Sequence, residues 1–294
     1  MKNPYIALVG GDLRYVYLAE RLSGLGFQVC CFFLKHPSLQ NHIHQSFDDF
    51  RDGLPFCATV LLPIPVCRSG LTLNAPLYDG EKPELPLLLS AVGKGAVVLG
   101  GAPSAAVRQT LADKELPFTD LLELDEVAEQ NAVPTAEGAA ALAMELLPIT
   151  LHGARCAVLG AGRCGLALAK LLSAMGATVT LTARRPEQLA TVAAMGFSPL
   201  ETGLLYTKGA DFDIVFNTVP APVLDARALA SLAPGAPVVE LASAPGGIDL
   251  DYASSHGIKV VQAPGLPGKV APQTAADILC GAIVPLLQER GISL

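Results

Sequence analysis

"LGAGRCGLALAKLLSAMGATVTLTARR" (residues 159–185) decides the fold of the second half of the chain. The apolar run "RCAVLG" leads into Gly160, Gly162 and Gly165, spaced G-x-G-x-x-G. The first two glycines permit a tight turn and the approach of a diphosphate, and the third lets the next helix pack against the sheet. The helix "LALAKLLSAMG" and the strand "ATVTLTA" follow in order. Together these make a dinucleotide-binding unit, with the diphosphate at a helix N-terminus, where free N–H groups and the helix dipole favour an anion. Arg163 and Cys164 lie inside that turn and are expected at the cofactor too. An NAD site ordinarily has Asp or Glu at the end of the second strand, for the ribose 2′-hydroxyl. This chain has Thr182, Ala183, Arg184 and Arg185 there. Guanidinium groups pair with a 2′-phosphate in a fork, so Arg184 and Arg185, with a hydroxyl from Thr182, favour NADP over NAD. The bland alternative is two solvated loop charges.

At 294 residues the chain has room for two domains, and with 51% hydrophobic and 16% charged residues it has ample core. Trp is absent, so Ala, Val, Leu and Gly supply that core, as suits stacked parallel strands and helices. A net charge of −7 argues against nucleic acid as a partner. No long uninterrupted apolar stretch suggests a membrane span, and the N-terminus lacks the regions of a signal peptide. The seven cysteines show no metal-type spacing and are expected reduced and mostly buried, in a cytoplasmic protein. His36, His42 and His44 are expected in a surface loop, and no metal site is expected.

In the first half, strand-like runs at 5–11, 27–34, 58–66 and 95–101 alternate with helix-like ones, while 67–84 reads as a loop. Pro134 suits a helix first turn, so a connecting helix is expected to start there within 131–147. A second alternating series follows from Ala154, and a last helix starts near Pro272. The expected architecture is α/β: two Rossmann-like domains with parallel sheets flanked by helices and a cleft between them. Residues 1–130 form the substrate or partner domain, with 275–294 packing back on it. Residues 131–274 hold the connecting helix and the dinucleotide-binding domain.

Seven stretches stand out: "GGDLR" (10–14), "LLPIP" (61–65), "NAVPTAEGA" (131–139), "LGAGRCG" (159–165), "NTVP" (217–220), "ELASAPGGID" (240–249) and "APGLPGKVAPQTAA" (263–276). Taken together they resemble the dipicolinate synthase A subunit family of spore-forming bacteria. The resemblance runs from end to end and is weakest over 35–90. At the level of fold alone, the layout is also similar to bifunctional folate and alanine dehydrogenases. It implies conversion of the lysine-pathway aldolase product, a hydroxylated tetrahydrodipicolinate, to dipicolinic acid through loss of water and two-electron oxidation. It also implies a role in spore formation and a partner, a flavoprotein-like B subunit.

The residues fit that chemistry with alternatives left open. A dicarboxylate needs cationic or N–H donors, and Arg14 follows the first strand, where ligands of parallel sheets bind. Asp12 is expected to orient Arg14 or take a proton; otherwise it caps the first helix and Arg14 lies in solvent. Asn217, Thr218, Val219, Pro220 and Ser243, at the carboxyl ends of later strands, are expected to line the nicotinamide side. Lys269 meets a substrate carboxylate or stands in solvent, and Glu137, near Thr135, is an acid or base or a first-turn helix carboxylate. One rival reading is a non-catalytic cofactor-binding or regulatory subunit whose partner does the chemistry. Another is a shikimate-like small-acid dehydrogenase, which explains the fold but not the last two stretches. Homo-oligomers are compatible with the composition but not required by it.

Overall fold

The computed structural model describes residues 5–292. The chain divides into two compact units, Met1–Ala128 with Ala271–Leu294, and Glu129–Val270.

The first unit holds strands β1 (Tyr5–Val9), β2 (Val29–Phe32), β3 (Cys57–Leu61), β4 (Val97–Gly100) and β5 (Phe118–Asp120). All pair in parallel, in the order β2-β1-β3-β4-β5. Its helices are α1 (Leu13–Gly24), the short α2 (Phe50–Gly53), α3 (Leu85–Ser90) and α4 (Ala105–Asp113). Ile6 and Leu8 face one buried cluster, and Ala7 and Val9 face another. This alternation across a sheet covered on both faces is the reason the strand reads as an unbroken apolar run.

Helix α5 (Asp125–Leu146) is longer than the sequence suggests, and Pro134 lies inside it rather than at its start. Asp125 and Glu126 occupy its first turn, where the helix dipole favours carboxylates. Proline lacks the N–H that would bond the Gln130 carbonyl, yet the helix runs on through it, and Thr135 Oγ1 donates to the Asn131 carbonyl at 2.7 Å.

The second unit holds β6 (Arg155–Leu159), α6 (Arg163–Ala174), β7 (Thr178–Ala183), α7 (Pro186–Ala194), β8 (Ser198–Glu201) and β9 (Ile214–Asn217). Next come α8 (Ala226–Ala230), β10 (Val238–Glu240), α9 (Leu250–Ser255), β11 (Val260–Gln262) and α10 (Leu266–Val270). The parallel sheet has the order β11-β10-β9-β6-β7-β8. Strands β5 and β8 are absent from the sequence reading. Both are sheet edges, three and four residues long, beside or containing proline, which only an edge tolerates.

Helix α11 (Pro272–Glu289) returns to the first unit and packs along α1, sharing its core through Ala276, Leu279 and Ile283. Arg21 and Asp277 add an ion pair between these two helices at 2.5 Å. Among the described residues no helix is long and apolar enough to cross a membrane. The seven cysteines are free.

Candidate functional site

In an open parallel sheet, ligands gather where neighbouring strands send their connections in opposite directions, just beyond the carboxyl ends. In the second unit this point lies between β6 and β9, at the loops 160–163 and 217–221. Gly160 has φ +99°, and its N–H points to Thr182 at the end of β7. A Cβ on Gly165 would lie 1.8 Å from the Gly160 carbonyl oxygen, so that position admits only glycine. Gly162, at the N-cap of α6, is different: a Cβ there would meet nothing within 4 Å. The protein's own packing does not require glycine at 162, but a diphosphate lying against the backbone there would. The turn therefore fits a dinucleotide.

The loop after β9 closes over this turn. Thr218 Oγ1 donates to the Leu159 carbonyl at 2.7 Å, and Val219 lies across Gly160. Asn217 is fully buried, with both ends of its amide on the Val219 backbone and a further bond from Nδ2 to Glu240 at 2.8 Å. Glu240, 7% exposed at the end of β10, also accepts from the N–H groups of Ala242 (3.1 Å) and Gly247 (3.0 Å). One carboxylate thus fixes the loops after β9 and β10.

Two expected contacts are corrected by this packing. Thr182 is 0% exposed, and its hydroxyl faces the Gly160 N–H and the Thr202 hydroxyl, so it braces the glycine turn instead of reaching a 2′-phosphate. The Asn217 side chain is likewise consumed in shaping its loop, so it has no free polar end for a nicotinamide. Arg184 and Arg185 stand exposed just past β7 and form no ion pair with a described residue. Arg163 is exposed at the first position of α6, and Pro220 and Ser243 are exposed as well. Cys164 turns its thiol towards Thr135, and burial pushes its pKa up.

Glu137 and Gly162 line one groove of about 610 Å³, between α5 and α6. Gly138 packs against Leu266 and Val270, so the helix bearing Glu137 lies on α10, which carries the exposed Lys269. Among the described residues no cluster of His, Cys, Asp and Glu has the makings of a metal site. His36 caps a short 3₁₀ turn, and His44 Nδ1 accepts from the Val29 N–H at 3.1 Å.

The first unit has its reversal point between β1 and β3. Gly10 and Gly11 adopt φ of +64° and +97°, and Asp12 caps α1. Arg14 is not in solvent: it is 7% exposed, forked onto Asp12 through Nε (2.9 Å) and Nη2 (2.8 Å), with Nη2 also on the Ile64 carbonyl. Asp12 therefore both caps the helix and orients the arginine. The neighbouring Tyr15 donates to the Leu62 carbonyl. The conspicuous runs 10–15 and 61–65 are two sides of one hydrogen-bonded joint.

The comparisons with known proteins bear on this arrangement directly. Residues 5–122 match the N-terminal domain of the dipicolinate synthase A subunit, and residues 137–291 match the alanine dehydrogenase/PNT C-terminal domain. The dipicolinate synthase A subunit of Bacillus subtilis (strain 168) is 33% identical over 287 residues, covering 97% of this chain and 96% of that protein. This chain belongs to the dipicolinate synthase A subunit family. The crystal structure of the A subunit from Bacillus halodurans superposes with a TM-score of 0.89 at 31% identity, over 97% of this chain and 98% of that one. The B. subtilis A subunit gives 0.84 at 31%, covering 98% and 97% respectively. A transhydrogenase from Sinorhizobium meliloti shares the fold, with a TM-score of 0.71 at 19% identity over 97% of this chain and 94% of that one. The expected α/β class, with two parallel sheets flanked by helices, holds. The protein is an NAD(P)-dependent oxidoreductase that uses a nicotinamide cofactor.

Glu240 escaped the sequence reading. The available signal for Glu240 was a lone acid inside the apolar strand run "PVVELA". A charge placed there must be paired or hydrogen-bonded.

Proposed function

We propose that this chain oxidises dihydrodipicolinate, formed by dehydration of the aldolase product 4-hydroxy-tetrahydrodipicolinate, to dipicolinate with NADP⁺ as oxidant. The balance is dihydrodipicolinate plus NADP⁺ giving dipicolinate, NADPH and a proton. The observation that carries the substrate is the end-to-end relationship to the B. subtilis A subunit. The choice of NADP rests on Arg184 and Arg185, two cations without an ion-pair partner among the described residues, where an NAD site would have a carboxylate.

In this reading Gly160, Gly162 and the first N–H groups of α6, those of Arg163 and Cys164, cradle the diphosphate, and Arg184 and Arg185 fork the 2′-phosphate. Val219 and Ser243 line the nicotinamide side, with Thr218 and Glu240 holding their loops. When bound, the nicotinamide supplies the hydride acceptor. Arg14 holds one substrate carboxylate, and Lys269 is a further cationic candidate. Glu137 takes the proton released as the ring becomes aromatic. The partner is a flavoprotein-like B subunit, in the cytoplasm of a spore-forming cell.

The test is reconstitution with that partner. Purified wild-type chain and a Gly162→Asp variant are each mixed with the B subunit, freshly made aldolase product and NADP⁺. Dipicolinate from the wild type and none from the variant supports the reading. Undiminished product from a variant that no longer binds cofactor assigns the oxidation to the partner and leaves this chain a scaffold.

A further inference from the structure

Arg68 stands at the same reversal point as Arg14, on the loop that follows β3. It is exposed, and its Nε donates to Asn74 Oδ1 at 3.0 Å. Asn74 is buried and every polar group it has is engaged. Its Nδ2 donates to the Pro65 carbonyl at 3.0 Å, its N–H to the Val66 carbonyl at 3.0 Å, and its carbonyl accepts from the Gly11 N–H at 2.9 Å. Arg14 is fastened to the Ile64 carbonyl and Asn74 to the Pro65 carbonyl, so the two guanidinium groups are tethered to adjacent peptide units.

The electrostatics of the two arginines differ. Asp12 offsets the charge of Arg14. Arg68 is anchored by a neutral amide and forms no ion pair with a described residue, so its charge is uncompensated. Each also keeps nitrogen free. Among the described residues, neither terminal nitrogen of Arg68 has a protein partner, nor does Nη1 of Arg14. That nitrogen is not sealed away: the sealed and unsatisfied side-chain atoms among the described residues are Thr59 Oγ1 and Asn131 Oδ1. A buried amide that immobilises an exposed, uncompensated guanidinium at the ligand-binding edge of a parallel sheet suits an anion that bridges both arginines.

We infer that Arg68 is a second carboxylate-binding residue, and that with Arg14 it makes the β1/β3 crevice a receptor for a small dicarboxylate. This rests on the substrate reading above and adds a residue and a selectivity to it. A monocarboxylate satisfies one guanidinium, whereas a dicarboxylate satisfies both.

The experiment is calorimetric titration of the purified full chain with pyridine-2,6-dicarboxylate, glutarate and pyridine-2-carboxylate. Wild type is expected to bind the dicarboxylates more tightly than the monocarboxylate. Arg68→Gln is expected to weaken dicarboxylate binding by about tenfold or more, the scale of one lost charge-assisted bond, and the monocarboxylate by less than about twofold. Arg68→Lys should recover part of the loss, since it restores charge without the fork. An unchanged ratio of dicarboxylate to monocarboxylate affinity in Arg68→Gln, an equal loss of both, or no dicarboxylate binding by wild type would overturn the inference. Arg68-dependent dicarboxylate binding by a chain that forms no dipicolinate would leave it standing and remove the proposed reaction instead.

Discussion

Asn217 Nδ2 donates to Glu240 Oε1 at 2.8 Å, joining two buried residues from the ends of adjacent strands β9 and β10. The bond ties the loop that covers the glycine turn to the loop that begins at Ala242, so the shape of the proposed cofactor side depends on one carboxylate. Glu240→Leu leaves the Asn217 amide and the Ala242 and Gly247 N–H groups without that acceptor. Such orphaned buried donors cost about 1–3 kcal/mol each. We expect a drop in thermal midpoint of several degrees together with weaker NADPH binding, read by differential scanning calorimetry and fluorescence titration. An unchanged midpoint would contradict the role given to Glu240.

Two glycines of the fingerprint separate ligand from fold. Gly162→Asp meets no protein atom at its Cβ, so it should fold with a near-wild-type midpoint while losing NADPH affinity by about a hundredfold, because a carboxylate replaces the space for a diphosphate. Gly165→Ala pushes a methyl group into the Gly160 carbonyl and should destabilise by at least about 1–3 kcal/mol, the usual range for overpacking. Chemical denaturation beside the same titration distinguishes the two outcomes.

Arg184 and Arg185 should govern cofactor choice. The double substitution to Ala is expected to weaken NADPH by about tenfold or more and NADH by less than about twofold, with stability unchanged because both side chains are exposed. Equal effects on both cofactors would place the 2′-phosphate elsewhere.

Acid stability has a local contribution that can be isolated. Arg155 hydrogen-bonds Asp213 and holds its carboxyl below the usual range. A folded-state pKa that is depressed gives stability present above the unfolded value, near 4, and lost as the pH falls through the folded value. Wild type should therefore exceed Asp213→Asn by about 0.5–1 kcal/mol at neutral pH, and the difference should shrink as the pH falls below the usual carboxylate range and through the lowered folded-state value. Parallel urea titrations across that range check the sign.

What the sequence disclosed and what it hid follow from the range of the interactions. The glycine turn at 160–165 and the cap at Asp12 are local, a few residues long, and were legible as local structure. The arginines after β7 stand out in the sequence because they break a short-range expectation. Thr182 and Asn217 were misread because their partners, Gly160 and Thr202 for one and Glu240 for the other, lie about twenty residues away. The run through Pro134 was misread because proline suits a first turn locally, whereas the helix that carries it already starts at Asp125. Arg68 stayed invisible because its anchoring needs Asn74 and Pro65 brought together by the fold.

One reaction followed by two optical signals tests the proposed oxidation. The wild-type chain, fresh aldolase product and NADP⁺, with the B subunit present, are followed for NADPH at its own absorbance and for dipicolinate in the ultraviolet. Both signals should rise together, one NADPH for each dipicolinate, and much more slowly when NAD⁺ replaces NADP⁺. Dipicolinate appearing without any NADPH would contradict that oxidation.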